Sequence, residues 1–497
     1  MKKLLLTVGL TLFLILSVLI AVLSITGYET DKFNKLISEK INENNRNITL
    51  NLDKIKFRID IKEVSLFLET KNPKLRYQNL DIPIENIKVY LDFISLIISK
   101  PKMDKMNISS KEININQLKN IIIKTKPSSL NSLITNKVKN GKLAIDIEIY
   151  FNDNLNIDNI IARGEVKEMQ ATVYDDLVLK DTSFSFFADT SDVLIKNIKS
   201  KMDGFLINNG NLKIEKDKNI NIQADFFTKL NINKTNIKTY LTYIKNFKYS
   251  NKETNLKANS NHNLDITFDN TFKVINYVYK NTGRLDKLDT TLNHKIKSSF
   301  LDDDITNLSL KDSDFKIRYS SDKKNFITSN GSYRVNNFDF NNYNFTNNYS
   351  KDASNIELDF EFAQQVIIDL INYKKKTNKV ANISLSFLKK KNHLNFKNIN
   401  YKENKNSISI ENLKVKKNDI ISFGKIKVKT YEEGDLKNDF KVDFAKKITI
   451  NGKKYDAKNL NKILNLKSKN NPLKKINKEI DINLENILTP LSKKLKN

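Results

Sequence analysis

Period-two alternation of apolar and polar residues constrains this chain more than any other feature, recurring from Ile55 to Val428. Such alternation places every second side chain on one face of an extended strand, so it marks strands with one apolar and one wet face. Ile55, Phe57, Ile59 and Ile61 alternate with Lys56, Arg58 and Asp60. Ile87, Val89, Leu91 and Phe93 repeat the pattern. Leu143, Ile145, Ile147, Ile149 and Phe151 face one way, Asp146 and Glu148 the other. Phe184, Phe186 and Ala188 come next, then Val193 and Ile195. Phe205 and Ile207 lead to an expected turn at Asn208-Asn209-Gly210, followed by Leu212 and Ile214. Ile222, Ala224 and Phe226 continue the series, as do Leu264, Ile266 and Phe268. Ile356, Leu358 and Phe360 follow, and Ile408, Ile410, Ile426 and Val428 close it.

Many half-apolar strands imply antiparallel hairpins with one solvated face. A β-sandwich closes within about 100 residues; here the pattern runs on without a restart. The expected fold is therefore mainly β: an elongated, curved antiparallel sheet, solenoid-like and open along a groove. The six prolines leave residues 128–471 free of proline, and no Pro/Gly/Ser linker divides them. Short helices are expected at residues 29–42, at Thr235–Phe247 and at Val366–Tyr373. In the tail, Ile476, Ile480, Leu484, Ile487, Leu488, Leu491 and Leu495 recur at helical spacing, with Pro490 interrupting them. That tail is expected to be helical and to cap the sheet, the alternative being that it lies on a membrane.

Lys2 and Lys3 precede an uncharged stretch from Leu4 through Leu14 to Ile25. Its length suits a bilayer-spanning helix. It exceeds the apolar core of a cleaved signal, and no small-residue cleavage site follows Ala21. The positive-inside rule keeps the two lysines cytoplasmic and the bulk of the chain across the membrane. The expected layout is a cytoplasmic stub and anchor (1–27), a membrane-proximal region (28–125), a repeating β body (126–470) and the tail (471–497).

The formal net charge of +28 first suggests nucleic acid. Only seven of the basic residues are arginine, however, and the lysines are spread along the chain amid Asn and Ile. Arginine is the residue of bidentate phosphate and base recognition. No nucleic-acid partner is therefore expected. The chain has no cysteine, which excludes disulfides, thiolate metal sites and acylation at cysteine. His262, His294 and His393 lie far apart, fit no ligand motif, and read as surface residues. Asp302-Asp303-Asp304 reads as a solvated turn. No phosphate loop, dinucleotide fingerprint or nucleophile elbow occurs. No enzyme activity, cofactor or metal is expected.

One anchor, a short helix and the strand Ile55-Lys56-Phe57-Arg58-Ile59 come first. Asn86 to Ile97 then runs into Lys100-Pro101-Lys102, followed by Met106-Asn107-Ile108 and Ile113-Asn114-Ile115. This series resembles the start of AsmA-like proteins. The run from Gly164 to Ile214 resembles the repeat of that family's larger, YhdP- and TamB-type members, and residues 408–428 echo it. The family's proline in the second strand is replaced here by Lys111 or Glu112.

The resemblance implies a curved β-groove of the Gram-negative envelope. It would be single-pass in the inner membrane, with its bulk in the periplasm, and would pass phospholipid between inner and outer membranes. The positions expected to line the groove come from alternation alone. They are Ile55, Phe57, Ile59, Val89 and Leu91, then Leu143, Ile145, Ile147 and Ile149, then Phe184, Phe186, Phe205 and Ile207, and finally Ile222, Phe226, Leu358 and Phe360. At about 4.8 Å between strands, some 22–28 strands would span roughly 105–135 Å, so a partner or a self-assembled extension is expected. The competing reading is an assembly factor for outer-membrane proteins with a sealed interior. An outer-membrane barrel fits less well, because the chain has no tryptophan for aromatic girdles. Both the open groove and the sealed sheet produce the same alternation.

Overall fold

The first element of the computed structural model, helix α1 (Lys2–Ile25), carries its apolar side chains exposed on every side, among them Leu14 and Ile25. Leu4 falls in its first turns. The segment Leu6–Ile25 has a mean hydropathy of 2.8 and is long and apolar enough to cross a membrane. The structure describes residues 2–490 apart from 33, 36–37, 40–46, 62–64, 92–102, 126, 153, 155, 175–176, 234–250, 298–299, 302, 378, 392, 417–418 and 461–477.

The remainder is mainly β. After α1 come β1 (Tyr28–Thr30), β2 (Ile48–Asn51), β3 (Ile55–Asp60), β4 (Ser65–Lys71), β5 (Lys74–Tyr77), β6 (Leu80–Ile82), β7 (Ile84–Leu91), β8 (Met103–Ser110) and β9 (Ile113–Asn114). Two short helices follow, α2 (Ile115–Ile123) and α3 (Ser129–Lys137). Then come β10 (Val138–Phe151), β11 (Ile157–Tyr174), β12 (Leu177–Ala188), β13 (Asp192–Met202), β14 (Phe205–Lys216) and β15 (Ile220–Ile232). The chain continues through β16 (Asn251–Phe268), β17 (Val274–Ile296), β18 (Ile305–Ser320), β19 (Asn325–Val335), β20 (Asn341–Tyr349) and β21 (Ser354–Phe362). Next are β22 (Val366–Ile368), β23 (Tyr373–Lys375), β24 (Ala381–Lys390), β25 (His393–Glu403) and β26 (Asn406–Lys416). It ends with β27 (Asp419–Ser422), β28 (Lys425–Glu432), β29 (Asp435–Phe444), β30 (Ile448–Asp456) and β31 (Ile480–Leu488).

The chain divides into two units. Unit one holds Met1–Met202, Leu206–Phe226 and Thr267–Val274; unit two holds Asp203–Phe205, Phe227–Ile266 and Ile275–Asn497. In unit one, β1, β3, β4, β7, β8, β10, β11, β12 and β13 pair in that order, every pair antiparallel. A separate sheet of β2, β5 and β6 sets Leu50, Leu75 and Ile82 against Ile84, Ile87, Val89, Met106 and Ile108 of that ladder. In unit two, β17 to β21, then β24, β25, β26, β28, β29 and β30, pair antiparallel in succession. Neither ladder closes on itself. The open antiparallel sheet expected from alternation is present.

Strands β11 to β14 each contain one residue at positive φ: Glu168 (52°), Asp181 (49°), Asn197 (57°) and Asn209 (51°). Register shifts accompany the first three. These are β-bulges, in which one extra residue re-aims the strand. They explain why the apolar positions skip from Ile195 to Ile198, a spacing of three. The expected turn at Asn208-Asn209-Gly210 lies inside β14, with Asn209 at positive φ. The chain reverses earlier, around Asp203-Gly204, where Gly204 takes φ +80°.

Two helical expectations are corrected and a third is trimmed. Residues 28–30 form β1, paired with β3, because the chain leaves α1 directly onto the ladder edge, and the helix expected over 29–42 is present at the described residues 34–35 and 38–39. Val366–Tyr373 is no helix: β22 and β23 form a hairpin around a 3-10 turn at Asp369–Ile371, with Asn372 in the left-handed region. In the tail, Ile480–Leu488 is β31, parallel to β30. Ile480, Ile482 and Leu484 also alternate at period two, and the free edge of β30 decides between the two readings. Thr235–Phe247 and the tail residues 461–477 and 491–497 lie outside the described residues. Helices α2 and α3 were not anticipated. Asn114 and Gln117 form a capping box on α2, and Ser128 caps α3.

Candidate apolar-ligand face

Directly opposed residues of an antiparallel pair share a face. In unit one this rule gathers the expected groove positions into cross-strand rows. One row runs Tyr28, Phe57, Leu68, Val89, Met106, Ile149 and Ile160. A second runs Ile55, Thr70, Ile87, Ile108, Ile147 and Ala162, and continues to Ala188 and Val193. Ile59, Leu66 and Leu91 form a third. Further along the strands, Ile145, Gly164, Phe186 and Ile195 align, as do Leu143, Val166 and Phe184. Eleven residues scattered over the sequence from Ile55 to Phe186 thus lie on a single face. Gly164 is required there: a Cβ would meet the Phe186 ring at 2.6 Å and the Ala144 carbonyl at 2.4 Å.

Ile207 lies on β14, and Ile222 and Phe226 on β15, all half-buried. A Cβ on Gly210 would approach Ile198 Cβ to 3.0 Å and Phe226 Cβ to 3.3 Å, which places Gly210 beside Ile198 and Phe226. Phe205 belongs to unit two and is also half-buried.

The face is covered unevenly. Near β7 and β8 the small sheet packs over it. Along β10 to β13, no residue of 143–151, 157–166, 184–188 or 193–195 is buried. The apolar rows there are half-exposed, and among the described residues no second layer buries them.

The opposite face is charged and aromatic. Glu69, 6% exposed, sits 3.6 Å from Arg58 and 3.9 Å from Lys88, and both cations lie against the Phe67 ring. Arg58 Nη2 donates to the carbonyls of Ser24 (3.1 Å) and Ile25 (3.4 Å) at the end of α1. A cation at a helix C-terminus also favours the helix dipole.

In unit two, the row containing Phe360 runs Tyr343, Phe360, Ile383, Tyr401, Ile408, Val428 and Phe440. The row containing Leu358 runs Phe345, Leu358, Leu385, Ile399, Ile410, Ile426 and Val442. Here the β22–β23 hairpin covers part of the face. Ile371 and Tyr373 form a core with Ala381, Tyr401, Val428 and Phe440. Polar bonds tie the hairpin down. The Tyr373 hydroxyl lies 2.7 Å from that of Tyr401 and donates to Glu403 (3.2 Å). Asn438 Nδ2 donates to the Ile371 carbonyl (2.8 Å), and Asn372 Nδ2 to Asp456 (3.1 Å). Lys375, 1% exposed, donates to the Lys379 carbonyl, and burial pulls its pKa down to about 8.

A second polar group lies within unit two. His262 Nε2 is 2.8 Å from Thr228 Oγ1 and 2.9 Å from Ser260 Oγ, and its Nδ1 is 2.8 Å from the Tyr279 hydroxyl. Asn281 Nδ2 donates to the same hydroxyl (3.2 Å). The assignment that suits every contact has Tyr279 donating to Nδ1 and Nε2–H donating to Thr228 or Ser260. Burial lowers the His262 pKa and raises that of Tyr279, so both are neutral at pH 7. The surface position expected for His262 is therefore corrected, whereas His294 and His393 are exposed. Sequence reading missed this cluster because its members are spread over β15, β16 and β17.

Among the described residues no group of three metal-ligating side chains occurs. No protein-family model, curated protein or solved structure matches the chain.

Proposed function

We propose that the chain is a membrane-anchored lipid conduit, in which the apolar face shields acyl chains and the polar head group stays in water. The observation that carries this reading is the set of half-exposed apolar rows on β10 to β13, in a ladder whose first strand leaves α1 after two residues. Each methylene taken out of water onto such a face is worth about 0.8 kcal/mol. Shielding of this kind needs no base, nucleophile or metal. The resemblance to AsmA-like proteins supports the same reading. On it, α1 anchors the chain in a Gram-negative inner membrane with the bulk in the periplasm. The cargo is phospholipid moving between inner and outer membranes, and envelope proteins are candidate partners.

The test is native mass spectrometry of the full chain purified in mild detergent. Phospholipid should co-purify, and should be lost from a folded Ile145→Asp/Phe186→Asp double variant. A folded wild-type chain that takes up no lipid from vesicles would instead favour an assembly factor for outer-membrane proteins.

A further inference from the structure

We infer that the stretch of unit two around His262 is a binding site for the hydroxyl-bearing polar part of a lipid, of glycerol or sugar type. The inference rests on the conduit reading and names a class of cargo for it.

The cluster shares its face with apolar residues. Tyr279 opposes Tyr319, and Asn281 opposes Ile317. Ile317 opposes Ile327, which opposes Asn347, which opposes Ile356. The face therefore changes here from aliphatic to amide and phenol without changing sides.

Its chemistry is neutral. The cations of β17 and β18 nearest the cluster fall at the other parity: Lys280 opposes Arg318, Thr282 opposes Lys316, and Arg284 opposes Asp314. A phosphate seated among Thr228, Ser260, His262, Tyr279 and Asn281 would lie on the face opposite Lys280, Arg284, Lys316 and Arg318. A polyol would meet hydroxyl, imidazole and amide groups that can both donate and accept.

Two atoms ask for a ligand donor. The side-chain oxygens of Asn281 and Asn347 are buried and have no hydrogen-bond partner among the described residues. Asn281 as a whole is only 9% exposed. Buried acceptors are normally satisfied, so an orphan calls for a donor such as a hydroxyl. Three strand spacings separate the two asparagines, about 14 Å, a span suited to a glycerol with its head group. Aromatic rings complete the set. Tyr277 and Tyr319 stand with centroids 5.2 Å apart, and Tyr319 is 48% exposed, so its ring can receive the C–H face of a polyol.

The experiment incubates the full chain, in detergent, with vesicles of equal parts phosphatidylethanolamine, phosphatidylglycerol and a monoglycosyl diacylglycerol. Native mass spectrometry then compares bound with supplied lipid. One or both hydroxyl-bearing lipids should be enriched about fivefold over phosphatidylethanolamine, the worth of one hydrogen bond. Which of the two is enriched separates the glycerol source from the sugar source. Asn281→Leu and Tyr279→Phe should each abolish the enrichment and leave total bound lipid unchanged. Tyr279→Phe removes a single oxygen and guards against misfolding of the other variant. Bound lipid that mirrors the vesicles, or enrichment that survives both substitutions, overturns the inference while the conduit stands. No bound lipid of any kind overturns the conduit and this site with it.

Discussion

Strands β10 to β13 in unit one and β24 to β30 in unit two carry the same apolar–polar alternation and the same antiparallel pairing, but their apolar faces are covered differently. Among the described residues no second layer buries Ile145, Ile147, Phe184 and Phe186, and all four side chains are half-exposed. Over Ala381, Tyr401, Val428 and Phe440 lies the β22–β23 hairpin, and all four are buried. Alternation decides which side chains share a face. A short insertion decides whether that face is open or filled. In unit two the ten residues Val366–Lys375 make that difference, tied down by Tyr373, Asn372 and the Ile371 carbonyl.

The sharpest way to break this comparison is truncation. Phe440→Ala should cost about 3–5 kcal/mol, the value for a filled aromatic site. Phe186→Ala should cost about 1–2 kcal/mol, because its ring is already half in water. Urea denaturation of both variants decides, and equal losses would mean that the two faces are packed alike.

Tyr373→Phe should come next, at about 1–3 kcal/mol, because it leaves the buried Glu403 carboxylate short of a donor. Thermal unfolding would show it, and an unchanged midpoint would mean the hairpin is held by apolar packing alone.

The pH dependence should also concentrate in unit two. Burial depresses the His262 pKa from its ordinary 6.5, so below that pH the unfolded chain takes up a proton that the folded site resists. Stability should fall as pH drops below 6.5, less so in a His262→Asn variant. Lys375 is depressed to about 8 from 10.5, so its contribution should rise between those values as the folded state sheds its proton first. Denaturation midpoints measured across pH 5–10 would test both signs. The smallest effect belongs to the solvated face: Arg163→Ala, which breaks the 3.3 Å pair with Glu148, should cost about 0–1 kcal/mol.

Much of the ladder was legible in the sequence because period two is a local signal. The positions from Ile55 to Phe186 fell on one face because each strand's own alternation fixes its register against a neighbour. What was not legible depended on distant partners. Ile480 to Leu488 fits both a helix and a strand, and only the unpaired edge of β30 selects the strand. Val366 to Tyr373 carries helical spacing, yet the polar atoms of Glu403, Asn438 and Asp456 hold it as a hairpin. Bulges at Asp181 and Asn197 leave little trace beyond an Asn or Asp and a skipped position. His262 looked like a surface residue because Thr228 and Tyr279, its partners, stand 34 and 17 residues away.

Only Thr26 and Gly27 separate α1 from β1. Gly27 takes φ +71° and donates to the Val22 carbonyl, closing the helix. Arg58 of β3 grips the last helical carbonyls from the neighbouring strand. A joint this short, clamped on its far side, transmits torque. Helix and ladder edge must turn together, so a tilt of α1 becomes a rotation of the row that starts at Tyr28 and Phe57. Helix α1 then works as an alignment pin, fixing the angle between its own axis and that row.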